Sequence, residues 1–145
     1  MSVLFSGVVD GPEELKEIYR KLYPQFPQRA VFLMSGPMGV GKTETIKALT
    51  SLLGLRNIAS PSFAIHHHYE GGGYVIDHLD LFRLEDEDDL ESTGFWDLFS
   101  QTKAWIFIEW ADRLEKEYLP LNWPQYEIVM KMIEGNRRHL EIIRN

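Results

Sequence analysis

Residues 36–43, Gly-Pro-Met-Gly-Val-Gly-Lys-Thr, have the residue types and spacing of a loop that binds phosphate groups. Its three glycines let the backbone turn tightly and bring N–H groups close to an anion. Lys42 can reach the outer phosphates of a nucleotide, and the hydroxyl of Thr43 can bind Mg²⁺. We therefore predict that a Mg²⁺-bound nucleotide binds here. The loop residues predicted to contact it are Gly36, Pro37, Met38, Gly39, Val40, Gly41, Lys42 and Thr43.

The sequence on either side of this loop predicts a strand before it and a helix after it. Ala30 to Met34 form a continuous apolar run, which is typical of a buried parallel strand. After the loop, apolar residues recur at helical spacing until Gly54. A strand, a glycine loop and a helix in this order are the context that a P-loop requires, and an ordinary glycine-rich turn is the competing interpretation.

A second apolar run, residues 104–108, ends in a carboxylate, Glu109. Ligands of open α/β sheets bind at the carboxyl ends of the strands, so Glu109 is placed to bind Mg²⁺, directly or through water, in the position of a Walker B acid. The alternative is a glutamate at the end of a strand that faces solvent.

Another acidic candidate is Asp80, within His78-Leu79-Asp80-Leu81-Phe82-Arg83. On a strand, His78 and Asp80 point to the same face. Asp80 could be a metal-shell ligand, or could orient or activate the attacking water. From the residues alone, ordinary surface polarity is an equally good interpretation.

Three consecutive histidines, His66, His67 and His68, raise the question of a metal site. On a strand, His66 and His68 share one face and His67 lies on the other. The chain has no cysteine, and we identify no carboxylate at ligand spacing. We therefore interpret the histidines as structural or surface residues.

The remaining patterns predict an α/β fold. A helix opens at Asp10-Gly11-Pro12, a hairpin turns at residues 71–73, and a short helix covers residues 94–99. Residues 85–91 and 111–118 also favour helix, and two alternating strands end the chain. We predict a P-loop NTPase-like three-layer sandwich with a mixed sheet and added antiparallel hairpins, as a single domain over residues 1–145.

The composition argues against direct binding of nucleic acid. The formal net charge of −7 is unsuited to binding nucleic acid through its phosphates, so we expect contact with proteins and nucleotide instead.

The chain has no cysteine and no apolar stretch long enough to span a membrane, and the first apolar patch lacks a basic leader. We expect a cytoplasmic, monomeric protein.

Several short segments together resemble the TsaE (YjeE) family. They are the loop at 36–43, Ser60-Pro61-Ser62-Phe63, His78-Leu79-Asp80-Leu81-Phe82-Arg83-Leu84, Glu91 before Gly94-Phe95, and Ile108-Glu109-Trp110. Their order and spacing match over about residues 6–119, and the C-terminal strands look generic. This resemblance implies a small bacterial ATPase that supports threonylcarbamoyladenosine modification of tRNA. The resemblance also implies that the protein acts together with the TsaD and TsaB proteins and that it contacts tRNA only indirectly, through their complex.

The resemblance also implies roles for individual residues. Lys42 and Thr43 would bind phosphate and Mg²⁺ of ATP, Asp80 would lie in the second acidic segment, and Glu109 would be the Mg²⁺-associated glutamate with Trp110 beside it. Lys42, Asp80 and Glu109 are the predicted catalytic residues, Thr43 and Glu109 the metal ligands, and Trp110 and Glu44 join the nucleotide contacts. Two positions depart from the family pattern. Glu44 replaces a second threonine and adds negative charge near the phosphates, and Ser62 replaces a threonine but keeps a hydroxyl.

Two other functions compete with an ATPase. A small-molecule or nucleoside kinase is another P-loop class, but its arginine-rich lid is not seen in this sequence. A nucleotide-switched interaction module with negligible turnover is the second. GTP is disfavoured because we find no Asn-Lys-x-Asp segment to read guanine.

Overall fold

The computed structural model describes residues 2–37, 39–58, 66–81, 95–109 and 119–145. Within these residues it contains eight strands, three helices and a short 3-10 turn. In chain order they are β1 Ser2–Asp10, α1 Pro12–Leu22, the 3-10 turn Tyr23–Gln25, β2 Arg29–Ser35, α2 Lys42–Leu53, β3 Arg56–Ile58, β4 His66–Gly71, β5 Tyr74–Asp80, α3 Phe95–Leu98, β6 Ala104–Glu109, β7 Gln125–Met132 and β8 Arg137–Arg144.

The strands form one mixed sheet in the order β1-β8-β7-β2-β6-β5-β4-β3. Its centre is parallel, because β2 pairs in parallel with both β6 and β7, and β6 pairs in parallel with β5. Antiparallel pairs extend it on both sides, β8 and β1 beyond β7, and β4 and β3 beyond β5. The carboxyl ends of the four parallel strands therefore meet at one edge of the sheet, where ligands of such sheets bind.

Each face of the sheet carries its own apolar cluster, because successive side chains of a strand point to opposite faces. On the face covered by α1 and α2, Phe32 stacks on Phe107 and Tyr126, with ring centroids 4.4 and 4.9 Å away. On the other face, Val31 and Ile106 belong to a cluster that also includes residues of α3 and of the segment around residue 120. Both faces of the central strands are thus buried, which explains their continuous apolar runs.

The predicted α/β class with a mixed sheet is confirmed. α1, β2, α2, β6, the turn at residues 71–73 and the two C-terminal strands all lie where the sequence predicted them. β1 and β3 were not predicted. The predicted helices at 85–91 and 111–118 lie outside the described residues, and so does the segment 60–63.

No helix among the described residues is both long enough and apolar enough to cross a membrane. α1, for example, is amphipathic, and it buries Leu15, Tyr19 and Leu22 on one side only.

Substitution of Phe32 tests how much the aromatic stack at the centre of the sheet contributes to the free energy of unfolding. We predict that Phe32→Ala lowers the free energy of unfolding by about 3–5 kcal/mol, because it leaves a cavity between two aromatic rings. Equilibrium urea denaturation measures this change. Leu121→Ala is the control, because Leu121 is 99% exposed and its removal should change stability by less than about 0.5 kcal/mol. Equal effects of the two substitutions would contradict this account of the core.

Candidate nucleotide-binding site

The glycine-rich loop connects the carboxyl end of β2 to the first residue of α2. Its three glycines all have positive φ, at 146° for Gly36, 78° for Gly39 and 120° for Gly41. α2 begins at Lys42, so the free N–H groups and the positive dipole end of the helix lie at the loop. Lys42 is buried, and its Nζ donates a hydrogen bond to the carbonyl oxygen of Gly36 at 2.7 Å. The ammonium group is thus held against the backbone of the loop.

Gly36 allows the loop to pass close to β7. A Cβ atom at this position would lie 2.6 Å from the carbonyl oxygen of Met130, a backbone atom that cannot turn aside. The same residue has a φ of 146°, which a side chain would strain. Gly36 is therefore required both by its conformation and by the neighbouring strand.

The C-terminal hairpin supports the loop from the other side. Arg138 of β8 donates a hydrogen bond from Nε to the carbonyl oxygen of Val40 at 3.0 Å. Its Nη1 also donates to the carbonyl oxygens of Gly135 and Arg137, at 2.7 and 3.0 Å, which fixes the guanidinium. The sequence did not predict a part for this hairpin in the site. The contact joins residues 98 positions apart, so no local pattern could have indicated it.

Thr43 and Glu44 occupy the first turn of α2. The side chain of Thr43 is exposed, so its hydroxyl is available to a ligand at the loop. Glu44 lies in a cleft lined in part by Gly39, Gly41 and Arg138, and its carboxylate is 3.5 Å from the Nζ of Lys47. An acidic side chain in the first turn is favoured by the helix dipole, which gives Glu44 a local structural reason to be there.

The two predicted carboxylates lie side by side at the edge where the parallel strands end. Glu109 of β6 pairs with Asp80 of β5 on one side and with Met34 of β2 on the other. Met34 comes two residues before Gly36, so Glu109 lies on the strand next to the loop strand and Asp80 on the strand beyond it. Both have the same strand parity as residues packed under α2, which puts them on the face of the sheet that carries the loop helix.

Glu109 is buried, with only 5% of its surface exposed, so the alternative of a solvent-facing glutamate is wrong. Its Oε2 is 2.7 Å from Nε2 of His78, which is buried as well. A hydrogen bond from the imidazole satisfies the buried carboxylate and orients it. The sequence predicts that His78 shares a face with Asp80 but predicts no role for His78. Only the pairing of β5 with β6 brings it to Glu109.

The interpretation of the three histidines needs one correction. Asp77 lies directly across from His68 in the β4–β5 pair and contacts both His66 and His68, so the chain does supply a carboxylate at ligand distance. Burial by itself would raise the pKa of Asp77, but hydrogen bonds from His66, Gln101 and His68 outweigh it and lower this pKa. Burial would lower the pKa of His68, but hydrogen bonds to Asp77 and Glu70 raise it above its ordinary value.

The loop and the strand-end carboxylates suit a nucleotide and a hard cation. Backbone N–H groups and a lysine bind phosphate oxygens, and hydroxyl and carboxylate oxygens are the ligands that Mg²⁺ prefers. A family model described as "Threonylcarbamoyl adenosine biosynthesis protein TsaE" matches residues 9–140. The chain belongs to the TsaE family. It is accordingly a P-loop-type nucleotide-binding protein of tRNA threonylcarbamoyladenosine biosynthesis.

Individual TsaE proteins support this assignment. The chain is 34% identical to TsaE of Bacillus subtilis over 132 residues, covering 90% of this chain and 79% of the relative. It is 28% identical to TsaE of Rickettsia felis over 142 residues, covering 95% and 79%. The fold resembles the crystal structure of B. subtilis YdiB with a TM-score of 0.68 and 25% identity, covering 99% of this chain and 88% of that one.

The family match is longer than the sequence segments suggested. It runs to residue 140 and so includes β7 and the first half of β8, two strands whose sequence looks generic. This extent agrees with the contacts of Met130 and Arg138 at the loop. Of the residues predicted to bind nucleotide, Met38 and Trp110 lie outside the described residues.

A glycine replacement tests the close approach of the loop to β7. We predict that Gly36→Ala lowers the free energy of unfolding by about 1–3 kcal/mol through backbone strain and also weakens nucleotide binding, because the loop must move away from Met130. Calorimetric titration and urea denaturation measure the two effects. In the matched control Gly135→Ala, φ is 59° and the space is open, so about 1 kcal/mol of stability should be lost with nucleotide affinity unchanged. Equal nucleotide affinity in both variants would argue against the role given to Gly36.

Proposed function

We propose that this TsaE protein is a Mg²⁺-dependent ATPase that supports threonylcarbamoyladenosine modification of tRNA together with the TsaD–TsaB complex. The observation that carries the proposal is the pairing of Asp80 with Glu109 at the strand ends, with Glu109 on the strand next to the P-loop strand. Phosphate hydrolysis needs a phosphate-binding loop, an acidic group for the metal and a group that serves the attacking water, and this arrangement offers all three.

The loop residues bind the phosphates of ATP in this proposal. Backbone N–H groups of residues 36–43 hold the phosphate oxygens, helped by the N-terminus of α2. When ATP binds, the Nζ of Lys42 leaves the carbonyl oxygen of Gly36 and donates to the outer phosphates, because a cation interacts more strongly with these anions than with a carbonyl oxygen. The close approach of β7 to Gly36 and the hydrogen bond from Arg138 to Val40 hold the loop in the conformation that binds phosphate.

Thr43 and Glu109 are the proposed ligands of Mg²⁺, which when bound neutralises charge on the outer phosphates. The oxygen donors of these two side chains fit a hard cation, and the exposed Thr43 leaves its hydroxyl accessible. His78 positions Glu109 by its hydrogen bond. We assign Asp80, the half-buried neighbour of Glu109, to the attacking water.

Hydrolysis in this scheme serves the partner complex and does not supply the transferred group. The net charge of −7 suits contact with protein better than direct contact with tRNA. The γ-phosphate is the part of ATP that differs before and after hydrolysis, and nucleotide-switched proteins change their docking surface with it. We therefore propose that hydrolysis releases this protein from TsaD–TsaB and resets the complex for another round.

Lys42 is the first residue to test. We predict that Lys42→Ala weakens Mg-ATP binding by about tenfold to a hundredfold, the loss expected for hydrogen bonds to a charged group. Calorimetric titration measures the affinity, and circular dichroism verifies the fold. Lys47→Ala is the matched control on the same helix, because the Lys47 side chain is 69% exposed and should matter little. A folded Lys42→Ala protein with unchanged affinity and hydrolysis would refute the P-loop assignment.

The two carboxylates should affect hydrolysis more than binding. We predict that Glu109→Gln and Asp80→Asn each reduce ATP turnover by about a hundredfold or more, because each keeps its size but loses the charge that serves the metal or the water. Steady-state phosphate release and separate nucleotide titrations distinguish the two effects. Glu127→Gln, which changes a half-buried carboxylate of β7 whose strand parity puts it on the other face, should leave turnover unchanged. Parental turnover in either site variant would assign that residue a structural role.

A reconstituted tRNA modification assay tests the purpose of turnover. With threonylcarbamoyl-adenylate supplied and TsaD–TsaB present, we predict repeated rounds only when this protein and ATP are added. Without it, or with Glu109→Gln, product should not exceed the amount of complex, because the complex is not reset. Equal modification in the absence of this protein would overturn the proposed role in the complex. The ATPase assignment would then still be tested separately by the Lys42 variant and the two carboxylate variants.

A further inference from the structure

A second cluster of ligand-type side chains lies on the β4–β5 hairpin. His66 Nε2 is 2.8 Å from Asp77 Oδ1, and His68 Nδ1 is 2.6 Å from the same oxygen. All three atoms lie within 4.8 Å of one another. Antiparallel pairing creates this convergence, because Asp77 is the register partner of His68 and His66 lies two residues along on the same face.

We propose that His66, His68 and Asp77 bind a divalent transition-metal ion of the Zn²⁺, Co²⁺ or Ni²⁺ class. Two imidazole nitrogens and one carboxylate oxygen are a donor set that these ions prefer, whereas Mg²⁺ and Ca²⁺ prefer oxygen ligands throughout. When an ion binds, the two ring nitrogens that now contact Asp77 would give their lone pairs to it, and each neutral ring would keep one proton on its other nitrogen.

The groups around the three ligands are those that hold a metal site in place. His68 contacts Glu70 through its other nitrogen, with 3.0 Å between Nε2 and Oε2, so a carboxylate fixes the ring while Nδ1 faces the metal. Gln101 Nε2 donates to Asp77 Oδ2 at 3.0 Å and leaves Oδ1 for the ion. Gln101 is itself held by the carbonyl oxygen of Leu98 at 3.0 Å.

Two of the three ligands are buried, and the third is partly exposed. Asp77 has no exposed surface and His66 is 8% exposed, so the ligands are shielded from competing water. His68 keeps 23% of its side chain exposed, which provides a path for the ion. Gln101, three residues after α3, contacts the cluster on the opposite side of the sheet from α2. The cluster is therefore a separate site from the P-loop.

The test is a metal titration of the full chain without a histidine tag. We expect Co²⁺ to give visible absorption bands at one equivalent, and Zn²⁺ to displace it and raise the melting temperature. Mg²⁺ should do neither. Competition with a chromophoric chelator gives the affinity of each variant.

Asp77→Asn and His68→Gln should each weaken Zn²⁺ binding at least about tenfold, and Glu70→Gln should weaken it by about 10–100-fold through the orientation of His68. His67→Gln is the matched control, since His67 points to the other face and binding should stay at the parental level. A run of surface histidines would give the reverse result, with His67 important and Asp77 irrelevant. That result, or no saturable Zn²⁺ binding by the parent, would overturn the proposal. If Asp77→Asn fails to fold, the Zn²⁺ affinities of His68→Gln and Glu70→Gln test the proposal, because both side chains are partly exposed and their replacement should leave the fold intact.

Discussion

The parallel alignment of β2 between β6 and β7 brings the loop, Glu109 and Met130 together at the candidate nucleotide-binding site. Because β2 and β6 run in the same direction, the loop that follows Ser35 and the carboxylate of Glu109 emerge at the same edge of the sheet. Because β7 runs parallel on the other side, the carbonyl oxygen of Met130 comes close to Gly36 and limits the shape of the loop. Reversal of β2 or β6 would separate the loop from Glu109, and reversal of β7 would remove Met130 from the loop.

Local patterns in the sequence were sufficient for the elements that are strongly periodic or continuously apolar. β2, β6 and α2 were predicted because each is built around an unbroken apolar run or a helical stripe, and the loop was predicted because its glycines have a fixed spacing. β1 and β3 escaped prediction because they lie at the outer edges of the sheet. The burial pattern of β1 is irregular, with Val3 and Val8 exposed, so it lacks the alternation that marks a strand.

The contacts that sequence analysis missed all depend on tertiary pairing. Arg138 reaches Val40 across 98 residues, His78 reaches Glu109 across 31, and Asp77 reaches His66 across 11. In each case the residue types were visible, but only the register of the sheet gives each one its partner. The last two contacts also satisfy buried carboxylates, which would be costly to leave without donors. β5 therefore carries polar groups to both faces, with His78 and Asp80 toward the loop helix and Asp77 toward α3.

The order of the strands has a consequence for synthesis on the ribosome. β1 lies at the edge of the sheet beside β8, so the first strand of the described chain waits for residues 137–144 before it can pair. The P-loop likewise lacks its support from Met130 and Arg138 until the C-terminal hairpin has left the exit tunnel. Contacts between such distant segments form late and slow folding. A nascent chain that has emerged only through β6 thus already carries the loop and both carboxylates but lacks the strands that support the loop, so this support is complete only when the sheet is complete.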